Sequence, residues 1–324
     1  MKQILYIDTD AGVDDIIAIC MVLRSRRHTV RGISIVNGVA SVKNGLRIIK
    51  RILSYVGMDT IPIFSGFNQI QQNSSVQFPA IDRSRATSFA LLPDIPTISK
   101  QPRFQNLKAF QERIAQEKKP VTILCLGPLS NIASIIKKDT VRRAISKLII
   151  MGGAINVPGI VPPGYIAEYN FRLDAPAACD VLESGIPITL IPIDATRQVP
   201  ALVSTAPKTL KNILDRFQTQ ISNVRPVRPI GKIIRSIILN NSGDFKNFYD
   251  PLAAAVLLNR SIISSWNSYQ LSVSTRRMTY GKVTIQKKQG SILVPDIVRI
   301  KNFYTFLIQS MEGGDINVRT TTTM

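Results

Sequence analysis

The stretch ILYIDTDAGVDDIIAICMVL, residues 4–23, restricts the fold more than any other part of the chain. Its first four residues form a short β-branched run that predicts a buried strand, and IIAICMVL is apolar on every side, which predicts a buried helix over 15–23. Between them, Asp8, Asp10, Asp14 and Asp15 place four carboxylates within eight residues. Like charges this close at a buried strand-to-helix turn raise one another's pKa and oppose folding. A bound cation removes the conflict. Oxygen ligands with no His or Cys nearby point to Ca²⁺ or Mg²⁺. A single Asp would be enough to cap the helix and favour its dipole.

Further along, β-branched runs predict strands over 4–7, 30–36, 61–64, 121–126, 147–151 and 187–193, and helical patterns fall between them at 15–23, 46–55, 131–137 and 175–183. This order predicts an α/β fold, a mainly parallel central sheet with helices on both sides and a Rossmann-like core, in one domain over 1–324. Ligands of such sheets bind beyond the carboxyl ends of the strands. Two stretches break the rhythm. Residues 65–105 are rich in Gln, Ser, Asn and Pro, and residues 219–248 carry Pro226, Pro229, Gly231 and Gly243 around one short helical piece. Both are expected to be active-site loops. Strand-like runs at 270–274 and 282–285 precede a helix expected over 302–311, and residues 320–324 are expected to fray.

Composition narrows the chemistry. The chain of 324 residues has one His and three Cys. Zinc sites need several such ligands at close spacing, whereas Cys20, Cys125 and Cys179 are far apart. A Ser-His-Asp or Cys-His nucleophile would have to recruit His28, in the polar segment SRRHTV. Catalysis is therefore expected to run on carboxylates. Dispersed cysteines fit a reducing compartment. No apolar run reaches the ~18 residues of a membrane span, and the first apolar run is too short for a signal peptide. A cytoplasmic protein is expected.

Lys and Arg total 41 against 21 Asp and Glu, a net charge of +20. These charges are spread along the chain. In one basic group, Leu46, Ile49 and Leu53 recur at i, i+3 and i+7, an amphipathic helix whose basic side faces water. No aromatic residues interleave with the basic ones in the way that stacks bases. A nucleic-acid partner is not expected.

Two more segments carry candidate groups. In FYDPLAAAVLL, Asp250 precedes Pro251, a helix-capping pair that is also compatible with a metal ligand. In AEYNFRLDAPAA, Glu168 and Asn170 are two residues apart, on one side of an extended chain. That segment follows MGGAINVPG, where a strand ends in Gly152 and Gly153 and the backbone can approach a ligand closely.

Together, DTDAGVDD (8–15), ISIVNGV (33–39), LGPLSNIA (126–133), MGGAINVPG (151–159), AEYNFRLDAPAA (167–178), PITLIPIDAT (187–196), YDPLAAA (249–255) and TYGKVTI (279–285) resemble the inosine-uridine-preferring nucleoside hydrolase family. These are calcium-dependent N-ribohydrolases, and the resemblance covers nearly the whole chain. It implies hydrolysis of the N-glycosidic bond of ribonucleosides to free base and ribose. Asp10, Asp15 and Asp250 match the calcium carboxylates, and Leu126 matches the position that supplies a backbone carbonyl. Asp10 also matches the general base, which acts on a calcium-activated water. Asp14, Glu168 and Asn170 match groups that hold the ribose hydroxyls, Met151 matches an apolar contact under the sugar, and Asn37 is expected among the substrate-binding residues. Members of the family tend to be dimers or tetramers.

Three positions depart from the family pattern. Tyr249 stands where the inosine-uridine type has a His, and resembles the aromatic of the purine-preferring inosine-adenosine-guanosine type, where stacking raises the basicity of the base. Asp10, Asp14 and Tyr249 are thus the expected catalytic groups, and purine nucleosides the expected substrates. A partner aromatic is expected from Phe67, Phe78 or Phe89; ordinary packing beside Phe248 is the other reading of Tyr249. Val39 replaces a polar residue, and Ile160 replaces an Asn that contacts the sugar's 5′ side. These losses leave room for a weakly catalytic ligand-binding or regulatory relative that retains the calcium and ribose site. The basic excess leaves room for a nucleic-acid-associated protein.

Overall fold

In the computed structural model, which describes residues 2–68, 78–80, 83–84, 95 and 104–312, the first apolar run is strand β1 (Gln3–Thr9), inside the sheet. Its side chains alternate, with Leu5 and Ile7 entering one hydrophobic layer and Tyr6 the other. Such two-sided burial is what a parallel strand covered by helices requires. Outward from β1 on one side lie β2 (His28–Ile35), β3 (Ile63–Ser65) and β4 (Gln105–Asn106). On the other lie β5 (Val121–Cys125), β6 (Ile145–Met151) and β7 (Ile188–Ile191). All these neighbours pair in parallel. With β8 (Ile263–Val273), β9 (Val283–Lys288) and β10 (Ile292–Val298) the sheet has ten strands among the described residues, in the order β4-β3-β2-β1-β5-β6-β7-β10-β8-β9. Among the described strands of the sheet, antiparallel pairing is confined to β10 with β8 and β8 with β9.

Twelve α-helices accompany the sheet among the described residues. One layer contains α1 (Val13–Arg24) and α2 (Val42–Tyr55). The opposite layer contains α3 (Leu107–Ala115), α4 (Ser130–Ile136), α5 (Asp139–Ala144) and, after the short α6 (Tyr169–Leu173), α7 (Ala175–Leu182). The chain then passes through the single turn α8 (Ile193–Thr196). It returns to the first layer with α9 (Lys208–Asn223), α10 (Pro229–Leu239), α11 (Tyr249–Leu258) and α12 (Ile300–Gln309). Helix α1 is buried from Asp15 to Leu23 because it packs against both α10 and α11.

The expected α/β architecture is present, with two differences in detail. Residues 219–248, expected as an active-site loop around one short helical piece, include the end of α9 and all of α10, and only their last part, from Gly243 on, lines the cavity described below. Pro229 sits in the first turn of α10, where its missing N–H is harmless, and Ile233, Ile234, Ile237 and Ile238 form the buried stripe that holds the helix. Strand β10 was not anticipated because Pro295 interrupts its apolar run; the pairing register with β8 shifts beside that residue, which lets a proline stay in the strand. Phe89 and residues 320–324 lie outside the described residues, as does much of 65–105.

The chain builds outward from β1 to β4 and then returns to lay β5 on the free side of β1. The carboxyl ends of β1 and β5 therefore flank a topological switch point, where open α/β sheets bind ligands.

Candidate active site

At the end of β1 the backbone reverses sharply. Ala11 has φ +56°, a left-handed conformation that side-chain-bearing residues seldom adopt. The turn is held by the Ala11 N–H donating to Thr9 Oγ1 (3.0 Å) and the Ala40 N–H donating to the Asp10 carbonyl (3.2 Å). Gly12 then caps α1, and its N–H donates to Asp15 Oδ2 at 3.0 Å, while the Thr9 hydroxyl donates to Asp15 Oδ1. Asp250 arrives from the first turn of α11, the helix packed against α1.

These elements bring the carboxylate oxygens of Asp14, Asp15 and Asp250 within 4.8 Å of one another. Asp10 lies beside them, its ionisation opposed by the charge of Asp15. Its Oδ2 accepts the Val39 N–H at 2.8 Å and rests against Gly38, where an added Cβ would stand 2.0 Å from that oxygen. The compact trio thus includes Asp14, which the resemblance assigned to the sugar, with Asp10 adjoining it.

Burial lifts the pKa of every member of the cluster. For Asp14 it combines with the charge of Asp15 to give about 7, and Asp10 and Asp250 are pushed well above the carboxylate range by burial and then by Asp15. Asp15 is raised by burial as well. Asp250 Oδ1 is buried and has no hydrogen-bond partner among the described residues. An oxygen-only set with one orphaned carboxylate oxygen fits a hard divalent cation.

Facing the cluster, Glu168 caps α6 with both carboxylate oxygens. Oε1 accepts from the Asn170 N–H (2.7 Å), and Oε2 accepts from the N–H groups of Gly153 (2.9 Å) and Phe171 (3.2 Å). Gly153 reaches it with φ +77°, and a Cβ on Gly152 would come 2.6 Å from the Phe171 ring. The pair of glycines at the end of β6 therefore permits the close approach expected of them. The Asn170 side-chain amide donates to the carbonyls of Leu126 (3.0 Å) and Met151 (3.2 Å), tying α6 to the ends of β5 and β6. A carbonyl oxygen has two lone pairs, so Leu126 retains acceptor capacity for a cation.

Every predicted site residue except Asn37 lines one cavity of about 520 Å³. Asn37 stands back from it, its N–H donating to the Phe67 carbonyl (3.0 Å), and Gly38 takes the place against Asp10. Tyr249 faces the cavity, its hydroxyl accepting from Asn247 Nδ2 at 3.2 Å, while Phe248 is the residue packed among Phe217, Phe245 and Phe303. Of the candidate partner aromatics, Phe78 reaches the cavity, stacked on Tyr169 with ring centroids 4.4 Å apart, and Phe67 does not line it. His28 begins β2, roughly 23 Å from that strand's carboxyl end. Sequence reasoning missed Tyr169, Arg197, Lys246 and Asn247, which also line the cavity. Tyr169 alone carried a signal, being flanked by Glu168 and Asn170.

Comparison with known proteins gives the class and then the family. The structure superposes on a purine-preferring ribonucleoside hydrolase from Gardnerella vaginalis with a TM-score of 0.78 at 19% identity, covering 95% of this chain and 98% of that one. It also superposes on an inosine-uridine preferring nucleoside hydrolase from Bacillus anthracis, with a TM-score of 0.75 at 21% identity over 96% and 100% of the two chains. These likenesses establish the nucleoside hydrolase fold. In sequence, the chain is 26% identical over 306 residues to the pyrimidine-specific ribonucleoside hydrolase RihA of Shewanella sp. strain ANA-3, covering 89% of this chain and 88% of that protein. The profile of the family described as inosine-uridine preferring nucleoside hydrolase matches residues 5–305. The chain belongs to that family and is a nucleoside hydrolase. No helix among the described residues is long and apolar enough to cross a membrane.

Proposed function

We propose that this enzyme hydrolyses purine ribonucleosides to free base and ribose, with Ca²⁺ held by Asp10, Asp15, Asp250 and the Leu126 carbonyl, and Asp14 at its side. The observation that carries this reading is the convergence of half-buried Asp14 with buried Asp15 and Asp250, whose Oδ1 has no hydrogen-bond partner among the described residues. When bound, the cation supplies positive charge that keeps the carboxylates ionised at neutral pH and lowers the pKa of water beside it.

Asp10 serves as general base. The Val39 N–H fixes one of its oxygens and orients the carboxylate to take a proton from the attacking water. Breaking the N-glycosidic bond places positive charge on the ribose ring, as in glycoside hydrolysis. Asp14 and Glu168 stabilise that charge, and because three backbone N–H groups already hold Glu168, little reorganisation is needed. Asn170, anchored on two carbonyls, keeps the sugar-binding side of the pocket rigid.

Tyr249 and the Phe78–Tyr169 stack give the cavity aromatic surface for the departing base. A two-ring purine gains more contact on such a surface than a one-ring pyrimidine. The relatives above are named for opposite base preferences, so the choice rests on these residues. The test is a nucleoside panel with reducing-sugar detection, run with and without a calcium chelator. Inosine is expected to outrun uridine, and the chelator to abolish both; equal or faster uridine hydrolysis would sink the purine preference. Binding without sugar release would favour the weakly catalytic relative.

A further inference from the structure

The cavity that holds the carboxylates also has a cationic side, which nucleoside hydrolysis as described leaves unused. Arg197 and Lys246 both line it. Arg197 Nη2 donates to the Pro158 carbonyl at 2.7 Å, with the Gly159 carbonyl at 3.5 Å. Gly159 and Ile160 lie directly on the segment leading into Glu168. The Gly159 N–H donates to the Tyr165 carbonyl (2.6 Å), the Ile160 N–H donates to the Ala167 carbonyl (2.9 Å), and a Cβ at 159 would stand 2.1 Å from the Ala167 oxygen. The guanidinium is therefore one strap away from the carboxylate assigned to the sugar. Lys246 belongs to a segment paired with the chain that continues from Arg197, through the Ala201 N–H to the Lys246 carbonyl (2.8 Å) and the Phe248 N–H to the Val199 carbonyl (3.0 Å).

Neither cation forms an ion pair with an acidic side chain among the described residues. Asp244 lines the same cavity and has a partner of its own. A guanidinium carries five N–H donors, more than two backbone carbonyls consume. Ile160 also lines the cavity, at the position that the resemblance assigns to the sugar's 5′ side, and its side chain has no hydrogen-bonding group to offer there. A plain nucleoside leaves both charges idle. A phosphate on the sugar would take charge-assisted hydrogen bonds from them.

We propose that Arg197 and Lys246 bind the 5′-phosphate of a nucleoside 5′-monophosphate, so that phosphorylated nucleosides are the substrates this pocket takes best. The proposal rests on the reading that Glu168, Asn170 and the carboxylate cluster grip the ribose. Water would add its oxygen to C1′ as the C–N bond breaks, the base would take the proton, and ribose 5-phosphate would leave as the second product.

Two measurements test it, kcat/KM by reducing-sugar release and affinity by calorimetry, each with inosine and inosine 5′-monophosphate. The monophosphate is expected to be favoured about tenfold or more in both. That ratio should collapse in Arg197→Gln, fall several-fold in Lys246→Gln, and be largely kept in Arg197→Lys, with thermal unfolding confirming that each variant is folded. A ratio near one in the parent enzyme, or one that the Gln variants leave unchanged, overturns the proposal. Hydrolysis of inosine with rejection of the monophosphate overturns it too, and leaves nucleoside hydrolysis standing. If neither compound is hydrolysed but the affinity gap and its loss in the variants persist, the anion site stands and the hydrolytic reading fails.

Discussion

Asp10 shows how much chemistry rests on single atoms in this site. One of its oxygens is pinned by the Val39 N–H, and its neighbours Asp14 and Asp15 oppose its ionisation. Asp10→Ala is expected to abolish turnover, below detection in a reducing-sugar assay, while the circular dichroism spectrum is kept. In chelator its melting temperature should equal or exceed that of the parent, since one buried, repelled carboxylate has been removed. Loss of fold, or persistent hydrolysis, would contradict the role given to Asp10. Removing the ring at Phe78, in Phe78→Ala, should raise KM for inosine more than for uridine, because Phe78 contributes to the aromatic surface through Tyr169. At this scale the sequence was informative wherever chemistry is dense along the chain. Asp8 to Asp15 stand within eight residues, and Glu168 and Asn170 flank one position. Arg197, Lys246 and Asn247 are isolated in sequence, and nothing local distinguishes them from the many other basic and amide residues.

Among the elements, helix α4 links the centre of the sheet to the segment after β3. Its Asn131 donates through Nδ2 to Asp8 Oδ1 (2.8 Å) and accepts through Oδ1 the Phe67 N–H (2.8 Å). Asn131→Ala would leave the Phe67 N–H unpaired and take one donor from buried Asp8, a loss of about 1–3 kcal/mol in urea unfolding. The strands and helices that sequence periodicity anticipated are those with one clear pattern, such as β1, β6 and α7. Helix α10 was obscured because Pro229 and Gly231 read locally as breakers, although proline in a first helical turn does no harm. Strand β10 was obscured by Pro295, which is tolerated only through a register shift against its partner.

For the molecule as a whole, the carboxylate cluster couples stability to pH and to metal. The folded-state pKa values are raised, with Asp8 and Asp14 at about 7 and Asp10, Asp15 and Asp250 also elevated. The folded chain therefore binds more protons than the unfolded one between roughly pH 4 and 7, and its stability falls as pH rises through that window. In chelator the melting temperature should drop between pH 5 and pH 7.5, and saturating Ca²⁺ should restore most of it at the upper end. A metal-free melting temperature that rises over this range would contradict the cluster's buried, mutually repelling state. Two of the basic residues behind the net charge of +20, Arg197 and Lys246, line the cavity itself.

The sequence alone determined the alternating α/β plan, the carboxylate turn after the first strand and the family. These follow from local periodicity and from residue types dense enough to require one another. Only the tertiary structure decided which residues share a cavity. Crossover connections bring the ends of β1, β5 and β6 together with the first turn of α11, although more than two hundred residues separate Asp10 from Asp250. Arg197 and Lys246 share that cavity with the carboxylates because the segments 199–201 and 246–248 pair, a relation that local pattern does not encode.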